Sequence, residues 1–193
     1  MHGSKRCLKL CVSEGLDPNI YNSKGKTALH LAIESSALGR DETVEWLLDH
    51  NAEIEAPDYD GYTPLLRASR LGRGLITRYL CERDADVNVF DYEGNSPMSL
   101  AIMYDRVGTH EGVVVQLLMH AADPNEVVEG GCTTMHNAVS NGDGSIAIIQ
   151  HLLAYEADLT KQDDEGYTPF MYAVNLNLVQ VCTLMMEVRV CEE

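Results

Sequence analysis

The 193-residue sequence predicts an all-α repeat solenoid, built of helix-turn-helix units with projecting β-hairpin-like loops. Three observations predict it. A glycine-opened motif recurs at Gly25, Gly61, Gly94, Gly131 and Gly166, at spacings of 36, 33, 37 and 35 residues. The openings read GKTALHLA, GYTPLLRA, GNSPMSLA, GCTTMHNA and GYTPFMYA, each a helix-start signal followed by apolar residues. A second apolar pair then follows at Leu47-Leu48, Leu80-Cys81, Leu117-Leu118 and Leu152-Leu153. It is closed by NAE (51–53), DAD (84–86), AAD (121–123) and EAD (156–158).

The unit Gly61–Glu93 shows the local logic. Thr63 suits a helix N-cap, because its hydroxyl accepts from an unpaired N–H of the first turn. Pro64 suits the first helical position, where a missing N–H costs nothing. Leu65, Ala68 and Leu71 share one face, and Gly72 ends that helix. Leu75, Ile76, Tyr79 and Leu80 mark a second helix that stops near Asp84, and Val87–Tyr92 reads as an extended excursion ending in a turn. Neither helix is long enough to stand alone. Each unit must bury its apolar face against its neighbours, so the core grows in one dimension.

In chain order, residues 4–24 read as the second half of a repeat, with a helix over Cys7–Glu14 and the closing signature Gly15-Leu16-Asp17-Pro18-Asn19. Either this half repeat caps the array or the chain is part of a larger one. Repeats follow at 25–60, 61–93, 94–130, 131–165 and 166–193, making one domain over 1–193. Three repeats carry extra residues between their helices, at Ser35–Arg40, Asp105–Gly112 and Asn141–Ser145. Gly, Ser, Asp and Thr among them suit longer surface loops, which tolerate lengthening well. The residue after each second helix needs a left-handed backbone, where glycine is best. Only Gly15 supplies it. Asn51 and Asp84 are acceptable substitutes, and Ala121 and Glu156 are poor ones. The two C-terminal interfaces are therefore expected to be softer than the one after Gly61–Glu93.

These openings and closings resemble the ankyrin repeat over nearly the whole chain. The resemblance implies helix pairs stacked side by side, with loops projecting at right angles. Loops and first helices then line a concave face. It also implies a structural role for His30 and His136, which take the His position of the Thr-Pro-Leu-His motif and bond within their own turn.

Composition narrows the function. The chain is 45% hydrophobic, with no run approaching a membrane span and no signal peptide at its start. Cys7, Cys11, Cys81, Cys132, Cys182 and Cys191 lack a compact disulfide spacing and read as free thiols in a reducing compartment. The expected location is the cytoplasm, with the nucleus also open. A net charge of −16 argues against nucleic acid and anionic membranes as partners. Residues 1–83 are nearly balanced, whereas residues 84–193 hold 3 basic and 18 acidic side chains. That asymmetry either keeps an elongated array soluble or steers a basic partner.

No constellation supports an enzyme, a cofactor or a metal. Cys132 and His136 sit four apart, yet no third group orients the imidazole. Cys7 and Cys11 share a helical face without two further ligands. Asn141-Gly-Asp-Gly-Ser145 would need a Glu at its twelfth position to bind calcium, and that residue is Leu152. Gly72-Arg73-Gly74 is followed by no Lys-Ser/Thr.

The informative positions are those the repeat leaves variable. The resemblance places partner contacts at the loop tips and the exposed ends of the first helices. In this chain those are Tyr59, Asp60 and Tyr62; Arg70 and Leu71; Tyr92, Glu93 and Asn95; Met103 and Tyr104; and Asp164, Glu165 and Tyr167. Lys24 and Lys26 occupy the first tip. Tyr and Met offer adaptable apolar contact, and acids accompany them at 60, 93, 129, 164 and 165. The same tyrosines would otherwise simply pack flat on a neighbouring tip. The resemblance further marks Asn88 and Asn125, each eight residues after a leucine, as candidates for asparaginyl β-hydroxylation. A purely structural loop asparagine is the competing reading. The sequence thus predicts a monomeric, non-catalytic protein–protein interaction module taking a basic or mixed segment of a partner protein on its concave face and loop tips. The alternative is a structural or targeting fragment of a larger scaffold or substrate adaptor.

Overall fold

The computed structural model describes residues 10, 14–105 and 108–190, without the side chains of 188–190. The helix expected over Cys7–Glu14, apart from Leu10 and Glu14, lies outside the described residues. So do Cys7, Cys11, Cys191 and residues 106–107 of the second insertion.

Ten α-helices form five successive pairs among the described residues. They are α1 (Ala28–Glu34), α2 (Arg40–Leu48), α3 (Pro64–Arg70), α4 (Gly74–Cys81), α5 (Pro97–Tyr104), α6 (Glu111–Met119), α7 (Thr134–Ser140), α8 (Ile146–Ala154), α9 (Pro169–Asn175) and α10 (Val179–Val190). The first helices α1, α3, α5, α7 and α9 pack on one another in sequence, and the second helices form a second row behind them. One apolar core runs between the rows from Leu29 to Met185.

The helix starts follow the sequence. The hydroxyls of Thr63, Ser96, Thr133 and Thr168 accept N–H bonds from the first turns of α3, α5, α7 and α9. The ends follow it too. Asn51, Asp84, Ala121 and Glu156 all take φ between 61° and 64°. The next residue then returns its N–H to the carbonyl of Leu47, Leu80, Leu117 or Leu152, at 3.0–3.1 Å. This closure satisfies an orphan carbonyl of the last turn. For Ala121 and Glu156, each with a Cβ, it is reached against a left-handed penalty of roughly 1 kcal/mol.

The inter-helix insertions differ from expectation. Ser35–Arg40 is a surface loop with Leu38 exposed, but the other two are wired into the array. Asp105 is buried, and its Oδ1 accepts the His110 N–H at 3.1 Å. Its Oδ2 accepts the Ser145 hydroxyl at 3.2 Å. The His110 Nε2–H reaches the Arg70 carbonyl at 3.2 Å. Asn141 adds a bond from Nδ2 to the Ile102 carbonyl at 2.6 Å. These polar side chains bridge the second, third and fourth repeats. The reason is satisfiability: a buried carboxylate must find donors, and the inserted residues supply them.

Candidate partner-binding face

The tips are held by a residue three positions before the opening glycine: Asn22, Asp58, Asp91 and Asp163. In each, Oδ1 accepts two backbone N–H bonds from the residues two and four further on, at 2.8–3.0 Å. The side chain thereby mimics a backbone turn and fixes the hairpin. The second carboxylate oxygen is also engaged. Asp58 pairs with the Arg67 guanidinium, Asp91 with Asn95 Nδ2 at 3.0 Å, and Asp163 with the Tyr172 hydroxyl at 2.8 Å. Sequence reasoning missed this device. Its signal was present as Asn or Asp at a fixed offset from four of five glycines. The fourth tip has Val128 there and forms a short 3-10 turn at Glu129–Gly131 instead.

Neighbouring tips are stitched together. The Tyr59 N–H bonds the Lys24 carbonyl at 3.2 Å, and the Asp164 N–H bonds the Gly130 carbonyl at 3.0 Å. His30 and His136 do more than bond their own turn. Each Nδ1 accepts from its N-cap threonine, and each Nε2–H donates to the carbonyl of Tyr62 or Tyr167 in the next tip, at 2.9 and 3.0 Å. Burial lowers the His30 pKa and keeps that ring neutral, as this tautomer requires.

On this frame Tyr59, Asp60, Leu71, Tyr92, Glu93, Met103, Asp164, Glu165 and Tyr167 are exposed, while Arg70, Asn95 and Tyr104 are half-buried. The rings of Tyr59 and Tyr92 lie against the preceding tips. A Cβ added to Gly25 would stand 2.4 Å from the Tyr59 ring, and one on Gly61 would stand 2.8 Å from that of Tyr92. Both residues still keep most of their surface in solvent, at 70% and 76%.

Tyr62 is a correction. Expected as an exposed contact, it is only 6% exposed and packs with Leu66 and Leu100. The Arg67 and Arg70 guanidiniums lie 4.3 and 5.4 Å from its ring centre. The first helix of the next repeat covers it through Leu100, so the position after the opening glycine is a packing position there. Arg70 also sits 4.7 Å from the Tyr104 ring, which makes Tyr62, Arg70 and Tyr104 one fixed stack beside exposed Met103. Lys26 is a second correction. It is not an open tip cation but pairs with Glu34, which also meets Arg67 at 3.2 Å. Asn95, bonded to Asp91, belongs largely to the frame.

The two marked asparagines differ. Asn125 accepts the Asp158 N–H at 2.7 Å and donates to the Glu156 carbonyl at 3.5 Å, as Asn19 does with Glu53 and Asn51. Asn88 is exposed, and the bond it makes is from its backbone N–H to Asp86.

The reactive residue types are engaged otherwise. The Cys132 thiol meets the Tyr172 hydroxyl at 3.9 Å, and the His136 Nδ1 belongs to Thr133. Asp105, His110 and Ser145 are the residue types of a hydrolytic triad, but Ser145 bonds Asp105 and His110 bonds a carbonyl, so no base faces the hydroxyl. Burial pushes the Cys81 thiol up to about 11. Among the described residues, no group of three or more His, Cys, Asp or Glu is placed to hold a metal ion. No helix among them is long and apolar enough to cross a membrane.

Comparison with known proteins agrees with this architecture. A family model described as ankyrin repeats (3 copies) matches residues 1–91 and 100–191. Over 185 residues the chain is 27% identical to the B-cell lymphoma 3 protein homolog of Mus musculus, covering 93% of this chain and 32% of that protein. Over 63 residues it is 41% identical to the nuclear factor NF-kappa-B p105 subunit of Gallus gallus, covering 32% of this chain and 6% of that protein. Over 89 residues it is 30% identical to the RelA-associated inhibitor of Mus musculus, covering 46% of this chain and 11% of that protein. The chain therefore spans a third or less of these relatives.

Proposed function

Because this chain belongs to the ankyrin-repeat family and is a protein–protein interaction module, we propose that it takes its partner on the concave face and loop tips, without catalysis. One observation carries the reading. Rigidly pinned tips present exposed Tyr59, Tyr92 and Tyr167 beside Asp60, Glu93, Glu129, Asp164 and Glu165. Rigid aromatics make good interface anchors because little side-chain freedom is lost on binding. The acids favour a partner segment that is basic or mixed, and a net charge of −16 disfavours nucleic acid and anionic membranes. The name of the RelA-associated inhibitor points to a RelA-type subunit as the partner to try first. The module acts as a monomer in the cytoplasm or nucleus, where its thiols stay reduced.

A second reading has its own support. Because the chain covers only 6% to 32% of its relatives' lengths, the same face also fits a structural or targeting arm of a larger protein.

Binding kinetics against purified RelA test the proposal. Tyr59→Ser with Tyr92→Ser should speed dissociation with little change in association. Asp60→Ser, Glu93→Ser and Asp164→Ser together should slow association and flatten its salt dependence. If RelA binds and neither set alters its kinetics, the concave face is not the contact.

A further inference from the structure

Between the last two repeats the concave face opens into a groove of about 360 Å³ whose walls include Glu165, Tyr167, Met171, Tyr172 and Leu176. Two aromatic rings stand at nearly a right angle there. Tyr167 and Tyr172 meet edge to face, with centres 6.2 Å apart and planes at 83°. Both are fixed. Asp163 accepts the Tyr172 hydroxyl and the Tyr167 N–H, while His136 holds the Tyr167 carbonyl. Tyr167, Met171 and Leu176 each leave nearly half their surface in solvent. Glu165 is exposed at the rim, and no ion pair engages it among the described residues. Lys161 is the one Lys or Arg between Gly108 and Glu187, so the groove lies in the most acidic part of the chain.

We propose that this groove receives a lysine side chain from the partner's bound segment. The alkyl stem lies along Met171 and Leu176, and the ammonium meets Tyr167 and the Glu165 carboxylate. Each feature of the groove answers one feature of that side chain. A lysine stem covers apolar surface while its head stays near water. Its cation is attracted to a tyrosine face, and the carboxylate adds an opposite charge that no ion pair engages among the described residues. Acidic or purely apolar segments would leave Glu165 unmatched. This inference rests on the concave-face reading and says where on that face a basic segment is anchored.

The test titrates the purified chain with two short capped peptides, Leu-Lys-Leu and the same peptide with norleucine for lysine. NMR follows the Met171 methyl and the Tyr167 and Tyr172 ring signals, and also those of Met103 and Tyr104. The lysine peptide should shift the groove signals, and the norleucine peptide should bind about tenfold more weakly. Glu165→Gln, a substitution at an exposed site, should weaken the lysine peptide several-fold and leave the norleucine peptide unchanged. Equal binding of the two peptides overturns the proposal, and so does the absence of any shift. Shifts confined to Met103 and Tyr104 overturn the groove while leaving the concave-face reading intact.

Discussion

Glu126 carries a buried carboxylate that the fold satisfies only in part. Its Oε2 accepts the Ser96 hydroxyl, and its Oε1 is buried without a partner. Desolvation raises its pKa, and the Ser96 bond opposes the rise without reversing it. A native pKa above the unfolded value means that protonation favours the folded state. The penalty is therefore absent below the usual carboxylate range and grows as pH rises through it. Glu126→Gln should raise the urea midpoint at pH 7 and change it little near pH 4; a lower midpoint at pH 7 would contradict this. Cys81 follows from burial alone: it should resist a thiol reagent in the native protein and react once urea unfolds it. Of the two asparagines marked for hydroxylation, Asn125 has its amide tied to the next repeat, and the Asn88 amide has no such tie among the described residues. An added oxygen is thus expected on Asn88 in protein from animal cells. Peptide mass spectra showing it on Asn125 alone would contradict that. At this scale the sequence was legible where a backbone need selects a residue type, as at Asn51 and Thr63. It was not where packing decides. Tyr62 and Tyr167 occupy the same position, yet Leu100 buries the first, while no following first helix packs on the second among the described residues.

Helices of seven to nine residues, as nine of these ten are, hold only through their neighbours. Leu80 is fully buried where α4 meets the rows beside it. Leu80→Ala should therefore cost about 2–5 kcal/mol by creating a cavity. Glu156 ends α8 at φ 61° and is exposed. Glu156→Gly should relieve a left-handed conformation that glycine adopts freely and raise the urea midpoint. An earlier melt would show that a side-chain contact outweighs the backbone. Helix starts and ends were readable because caps, prolines and left-handed positions each leave a residue signature. The wiring of the insertions was not, since Asp105 and Ser145 are 40 residues apart and follow no period.

Across the whole molecule, repetition made the array legible: five openings in register fixed the pairs and their order. Charge is the property the array does not repeat. Its first 83 residues are nearly neutral and the rest hold 18 acids against 3 bases. In the proposed reading the exposed acids Asp60, Glu93, Glu129, Asp164 and Glu165 line one side of the array. A partner is expected to sit on this side, on tips and first helices together. Amide hydrogen exchange of the chain with and without purified RelA tests that placement. Protection is expected at the tips 59–62, 92–95, 129–132 and 164–167 and along α3, α5, α7 and α9. Protection confined to the second helices and the insertions 35–40, 105–112 and 141–145, or none at saturating RelA, would contradict it.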